Sequence, residues 1–237
     1  MQDFVQLWVY LSATPLFGLT ATLVTYVLAQ AFYHQMQQAP WANPVLWTVL
    51  TLALLLWVSH TPYPTYFSGA QFIHFLLGPA VVSLAWPLWQ RRTQLVDRFR
   101  PLLVAALVGG TTAGGSAVLI AWALGLPPSL LRSLAPKSVT APVAMGIAEQ
   151  LGGVPALAAV FAVLTGLVGA ISAKYLFDAL GPFTPCERGF ALGVSAHGIG
   201  AARAMQVHPD AGAYAALALG MQVILSSLLI PLIARLF

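Results

Sequence analysis

Apolar residues run along this chain in blocks of about twenty, separated by short polar or glycine- and proline-rich stretches, and such blocks match the length of membrane-spanning helices. Seven spans are expected. The first covers about 4–32 and ends in the polar run from Tyr33 to Gln38; the second, about 45–59, opens after Asn43 and Pro44, proline being suited to a helix's first turn. A proline-rich connection with Tyr63 and Tyr66 follows, where the two rings suit a headgroup level or a gate. The third span, about 70–89, holds Gly78 and Pro79 at its middle, and a proline there removes a backbone donor and predicts a kink or break. The fourth, about 102–124, carries Gly109, Gly110, Gly114 and Gly115, which permit close approach by a neighbouring helix.

Beyond the fourth span lies a stretch, 130–153, in which Arg132, Lys137 and Glu149 are interleaved with Pro136 and Pro142. Its charges and breakers predict a re-entrant or broken segment. The fifth span, about 154–173, has Gly166 and Ala170 four residues apart. The sixth, about 188–205, is interrupted by Gly189, Gly193, Gly198 and Gly200, and the last, about 211–234, places Gly212, Ala216 and Gly220 on one stripe. The expected architecture is an all-α polytopic membrane protein forming a single integral domain over 1–237. It reads as an N-terminal span (1–42), a three-helix unit (43–125), the broken segment (126–153) and a second three-helix unit (154–237). Two such units of opposite orientation, each with an interrupted middle helix, have the layout of inverted-repeat secondary transporters.

Composition narrows the picture. Charged residues are 7% of the chain and hydrophobic ones 59%, with a mean hydropathy of +0.84, far from a soluble domain's roughly 25% charged. No Asp, Glu, Lys or Arg occurs from Phe4 to Gln90. Four of the ten basic residues, Arg91, Arg92, Arg98 and Arg100, share one segment, a cytoplasmic-loop signature rather than a nucleic-acid face. If 130–153 returns to the side it entered from, Lys174, Arg188 and Arg235 fall on the side of those arginines. The single cysteine, Cys186, excludes an internal disulfide, and the histidines lack metal-ligand spacing, so no metal or other cofactor is expected. The N-terminal apolar run reads as a retained span, lacking a basic start and a cleavage site.

The candidate chemistry is that of an anion site. Lys137 is followed by Ser138 and Thr140, and Pro136 suits the first turn of a short helix, whose end would add unpaired amides and partial positive charge. The plainer alternative is a lysine that snorkels to an interface or pairs with Glu149, which is read either as that counter-ion or as a proton relay. A second constellation spans Ser195 to Met205: Gly198 and Gly200 can expose backbone at membrane depth, and a half-helix starting near Ala201 puts Arg203 on its first turn. There a guanidinium grips a carboxylate with two parallel hydrogen bonds, against the alternative of a structural ion pair. His197 adds a group able to change protonation, or one simply bonded to a carbonyl. The substrate-binding set is therefore Lys137, Ser138, Thr140, His197, Gly198, Gly200 and Arg203; Gly78, Pro79, Pro136 and Pro142 are the helix breakers. No catalytic set is evident, because nothing orients His197 against Ser138 as a hydrolase needs.

The blocks LLGPAVVSLAWPL (76–88), PKSVTAPVAM (136–145), EQLGG (149–153) and AHGIGAARA (196–204) resemble, in order, the signatures of the LrgB/CidB family. Most members carry Thr at the positions of Ala141 and Ala201. The resemblance implies a multi-pass protein of the bacterial inner membrane, linked to control of murein hydrolases and autolysis and paired with a small holin-like LrgA/CidA protein. It also implies kinship with the plastid glycolate/glycerate transporter and with movement of small carboxylates such as pyruvate. Two functions follow as expectations: a transporter or facilitator of small monocarboxylates, or a non-transporting regulatory partner of a holin-like pore. Small-residue faces point to a homodimer.

Overall fold

The computed structural model describes residues 15–83, 85–90 and 92–234, and the regular structure among them is helical. The start of the first expected span, Arg91 and Arg235 lie outside the described residues. The chain forms two compact units, one ending at Ser83 and the other beginning at Leu84.

The N-terminal unit holds α1 (Pro15–Gln35), a short 3-10 turn (Pro40–Ala42), α2 (Pro44–Val58), α3 (Tyr63–Phe75) and α4 (Leu77–Ser83). Asn43 starts α2: its side-chain oxygen accepts from the amides of Val45 at 2.9 Å and Leu46 at 3.2 Å, while Pro44 takes the first turn, where no donor is needed. Helix α1 packs on α3, with Gly18 against the Tyr66 carbonyl. Tyr66 joins its hydroxyl to Thr22 Oγ1 at 2.8 Å, so this ring serves helix packing, whereas Tyr63 is exposed.

The second unit holds α5 (Ala85–Gln90), α6 (Arg92–Asp97), α7 (Phe99–Ala123), α8 (Pro128–Leu134), α9 (Ala141–Gln150), α10 (Pro155–Leu180), α11 (Pro185–Val207) and α12 (Pro209–Ala234). Its core is made of small residues. Ala173, Leu192, Ala196, Ala201, Ala204, Ala211 and Ala215 pack together, so α10, α11 and α12 approach backbone to backbone, as helices do where no aqueous hydrophobic drive assembles them. Their outward faces stay apolar: Leu164, Val168, Ile224 and Leu228 are each more than half exposed.

Helix α11 doubles back on itself. At His197 the backbone takes φ 43°, ψ −133°, outside the helical region, and the chain reverses into a hairpin with arms 185–196 and 198–207. A Cβ at Gly200 would stand 2.6 Å from the Leu192 carbonyl oxygen and 2.7 Å from Ala196 Cβ, a contact possible only if the second arm lies against the first. Arg188 and Val207, which a straight helix would separate by about 28 Å, line one cavity. The base of the hairpin is fixed by a capping box between Thr184 and Glu187 and by Arg188, which reaches Asp178 of α10 at 2.9 Å.

Direction follows from pairing. Ala106 of α7 packs with Tyr214 and Ala218 of α12, and Gly110 sits against Gln222, so α7 and α12 run parallel. Helix α10 runs against them, bringing Arg98, Arg100, Lys174 and Arg188 to one end of the unit. The stretch from Leu124 to Val154 enters and leaves at the other end: Gly153 packs on Ser133, whose hydroxyl accepts from the Val154 amide at 2.7 Å.

Four helices among the described residues are long and apolar enough to cross a membrane, over Leu16–Gln35, Phe99–Ala123, Pro155–Leu180 and Pro209–Ala234. The other three expected spans are built differently. Helix α2 has 15 residues, about 22 Å against a hydrocarbon core of about 30 Å. The stretch 70–89 is divided into short helices, the first break falling at Leu76 and leaving Gly78 and Pro79 in the first turn of α4. The stretch 188–205 is the hairpin, and as a result α12 ends, at Ala234, at the opposite end of the unit from Arg98.

Candidate functional site

His197 forms the tip of the hairpin. Its Nε2 lies 2.7 Å from the carbonyl oxygen of Ala162 in α10, and since a carbonyl only accepts, Nε2 carries a proton and donates. The ring fits because position 166 has no side chain: a Cβ there would stand 2.8 Å from His197 Cε1 and 2.9 Å from Nε2. Gly166→Ala is expected to displace the ring and to cost about 1–3 kcal/mol, the usual range for overpacking a dense contact, read as a lower unfolding temperature in detergent. Ala162 and Gly166 lie near the middle of α10, a helix of 26 residues and about 39 Å. The hairpin therefore ends halfway along the unit.

The stretch between α8 and α9 meets it there. Residues 135–140 are a succession of turns, with the Lys137 amide donating to the Leu134 carbonyl and that of Val139 to Pro136. A Cβ at Gly198 would stand 3.9 Å from Thr140 Cγ2, so the turns that carry Lys137 come against the hairpin tip. Lys137 is half-buried and, among the described residues, its ammonium makes no ion pair and no hydrogen bond. Thr140 is the N-cap of α9 but its side chain caps nothing. The N-terminal ends of α9 and of the second hairpin arm thus meet in one place, each with the partial positive charge of a helix start.

Several expectations change in detail. Lys137 precedes α9 instead of sitting in its first turn: the helix begins at Ala141 with Pro142 in the first turn, while Pro136 is buried in the turns before it. The second arm begins after His197, not near Ala201, and Arg203 falls beyond its first turn. The residue with the unusual backbone is His197 and not either glycine, whose φ values stay negative; Gly200 is needed for close packing of the arms. Glu149 is exposed at the far end of α9, about 15 Å of helix away from Lys137, and makes no ion pair with it. Among the described residues no group of three His, Cys, Asp or Glu side chains gathers as a metal site.

Two cavities flank the cluster and share no lining residue. The first, ≈ 470 Å³, lies among α7, α8, the 135–138 turns and α12; Pro136 and Ser138 line it. The second, ≈ 360 Å³, opens at the arginine end between α10 and the two hairpin arms, and Arg203 lines it with Lys174, Arg188 and Asp178. The structure thus joins Lys137, Thr140, His197 and Gly198, and assigns Ser138 and Arg203 to separate cavities. Sequence reasoning missed Gln222, which is 4% exposed and has its amide seated in the notch left by Gly110. Its signal was available: a long polar side chain midway along an otherwise apolar span, four residues before Ser226.

These features define an all-helical membrane protein whose interior is built around two interrupted segments. The chain belongs to the LrgB-like family, whose model matches residues 22–236. It is 34% identical to an uncharacterized protein of Haemophilus influenzae, over 82% of this chain and 84% of that one. It is 33% identical to the uncharacterized YxaC of Bacillus subtilis, over 91% and 94% of the two chains. The holin-like protein CidB of Staphylococcus aureus is 28% identical over the full length of both. No solved structure matches the chain.

Proposed function

We propose that the protein is a multi-pass transporter or facilitator of small monocarboxylates of the glycolate, glycerate or pyruvate type in the bacterial inner membrane. The arginine end of its second unit then faces the cytoplasm, as clustered basic residues do. The observation that carries this reading is the meeting of two interrupted stretches, one bearing Lys137 and the other His197, where Thr140 comes against Gly198 midway along α10. Broken helices that present positive ends and a cation at the midplane are the arrangement in which membrane carriers hold anions, and an intramembrane ammonium with no counter-ion among the described residues calls for one from the solute. The cavity lined by Lys174, Arg203 and the Arg188–Asp178 ion pair keeps an excess of positive charge and supplies an approach from the cytoplasmic end, where field lines between low-dielectric walls raise the local anion concentration.

The direct test is uptake of labelled small carboxylates into proteoliposomes, with and without a proton gradient; absence of flux for every carboxylate sinks the reading. A second measurement probes the approach. In a Cys186→Ser background, Val207→Cys at the cavity wall is expected to react with a membrane-impermeant thiol reagent, and a transported carboxylate is expected to slow that reaction severalfold. Labelling indifferent to every carboxylate counts against the cavity as the route.

A second reading, a regulatory partner of a small LrgA/CidA-like membrane protein, is favoured by the holin-like name of the Staphylococcus relatives. It predicts no solute movement by the purified protein and effects on autolysis only when the partner is present. Control of murein hydrolases belongs to this reading, or follows from the first if carboxylate flux alters autolysis.

A further inference from the structure

The cavity beside α7 is chemically unlike the one at the arginine end. Its lining follows α7 from Ala106 to Val118 and α12 from Gln222 to Ala234, about 18 Å along each helix, and is overwhelmingly apolar. Among the described residues a hydrated carboxylate has no counter-charge in its interior: Arg132, the one described cation on its wall, is exposed and lies against Gly152 at the far end of α9 from Ser138. Yet two polar side chains are buried on this wall. Ser138 and Gln222 are each 4% exposed, and neither Ser138 Oγ nor Gln222 Oε1 finds a hydrogen-bond partner among the described residues. Gln222 Nε2 donates to Ser226 Oγ at 3.0 Å, which leaves the other end of the amide for something else.

Burying two polar atoms without partners is costly, and a ligand that completes their hydrogen bonds recovers that loss. The complement must be neutral, must both donate and accept, and must be attached to a long apolar body. We propose that this cavity is a binding site for a single-chain amphiphile with a neutral hydroxyl head, which enters from the bilayer, sets its hydroxyl between Ser138 and Gln222, and lays its chain along α7 and α12. This site is separate from the Lys137 cluster and does not depend on the transport reading.

The test uses the full-length protein in detergent with a twelve-carbon primary alcohol bearing a diazirine in mid-chain. Photolabelling is expected on peptides of α7 and α12 and to fall about tenfold with excess 1-dodecanol, but not with dodecane or, at pH 8, with ionised dodecanoate. Gln222→Leu, close in volume and apolar, is expected to reduce labelling about tenfold, the size of one completed buried hydrogen bond, and Ser138→Ala to reduce it similarly. Elution as a single sharp peak and an unchanged helical spectrum verify folding of both variants. Equal competition by dodecane, suppression by dodecanoate alone, labelling confined to other helices, or undiminished labelling of both folded variants overturns the proposal.

Discussion

Lys137→Ala is expected to lower carboxylate flux in proteoliposomes by about ten- to a hundredfold while the protein still inserts and elutes normally. The magnitude is that of one charge-assisted hydrogen bond, about 1.5–3 kcal/mol, with each 1.4 kcal/mol worth a factor of ten. Stability should hardly fall, because the ammonium makes no ion pair or hydrogen bond to the described residues and its removal orphans none of them. Removing a half-buried cation also relieves a desolvation cost, so the variant is expected to unfold at the same temperature or higher. Loss of flux with retained stability separates a solute-binding lysine from a structural one. Loss of stability in step with flux, or flux at the wild-type level, refutes the assignment.

Gly193→Leu is expected to have the largest effect on folding, more than about 3 kcal/mol and enough to remove the folded protein from membranes at growth temperature. Gly193 lies on the first hairpin arm against α12, and a Cβ there would collide with the Ala215 carbonyl and stand 2.7 Å from Ala218 Cβ. Backbone cannot step aside as a flexible side chain does, so the arm must leave α12, and with it the Ala201–Ala215 packing that holds the tip in place. Gly220→Leu on α12 is the matched control: among the described residues nothing lies within 4 Å of a Cβ built there, and at this exposed position the change is expected to be neutral. Yield and thermal unfolding in detergent distinguish the two, and similar behaviour of both variants refutes the packing argument.

The glycines show how much of this was legible. The spacing of Gly189, Gly193, Gly198 and Gly200 marked 188–205 as unusual, and the structure uses Gly189, Gly193 and Gly200 for close approach. The stripe Gly212, Ala216, Gly220 was a weaker guide: Gly212 meets Met205 and Ala216 is buried, but Gly220 touches nothing. The reversal itself was not legible. It takes place at His197, whose φ 43° and ψ −133° lie outside the left-handed helical region that histidine sometimes visits, held there by the Ala162 carbonyl and by the space left at Gly166. Strain of this kind persists only where surrounding packing over-determines it, and that packing comes from residues thirty positions away.

By itself the sequence determined that the protein is helical and lives in a membrane, because apolar blocks and missing charges are properties of composition and length. It also determined which two stretches are irregular, since proline and glycine act locally on the backbone. Only the tertiary structure decided that 185–207 is a hairpin rather than a span, that the turns bearing Lys137 come to the hairpin tip while Glu149 lies at the far end of α9, that Arg203 belongs to another cavity, and that Gln222 has a place in the interior. The physical reason is that these are contacts between segments far apart in sequence. They depend on how closely α10, α11 and α12 approach, and a one-dimensional pattern of small residues permits that approach without fixing which pairs touch.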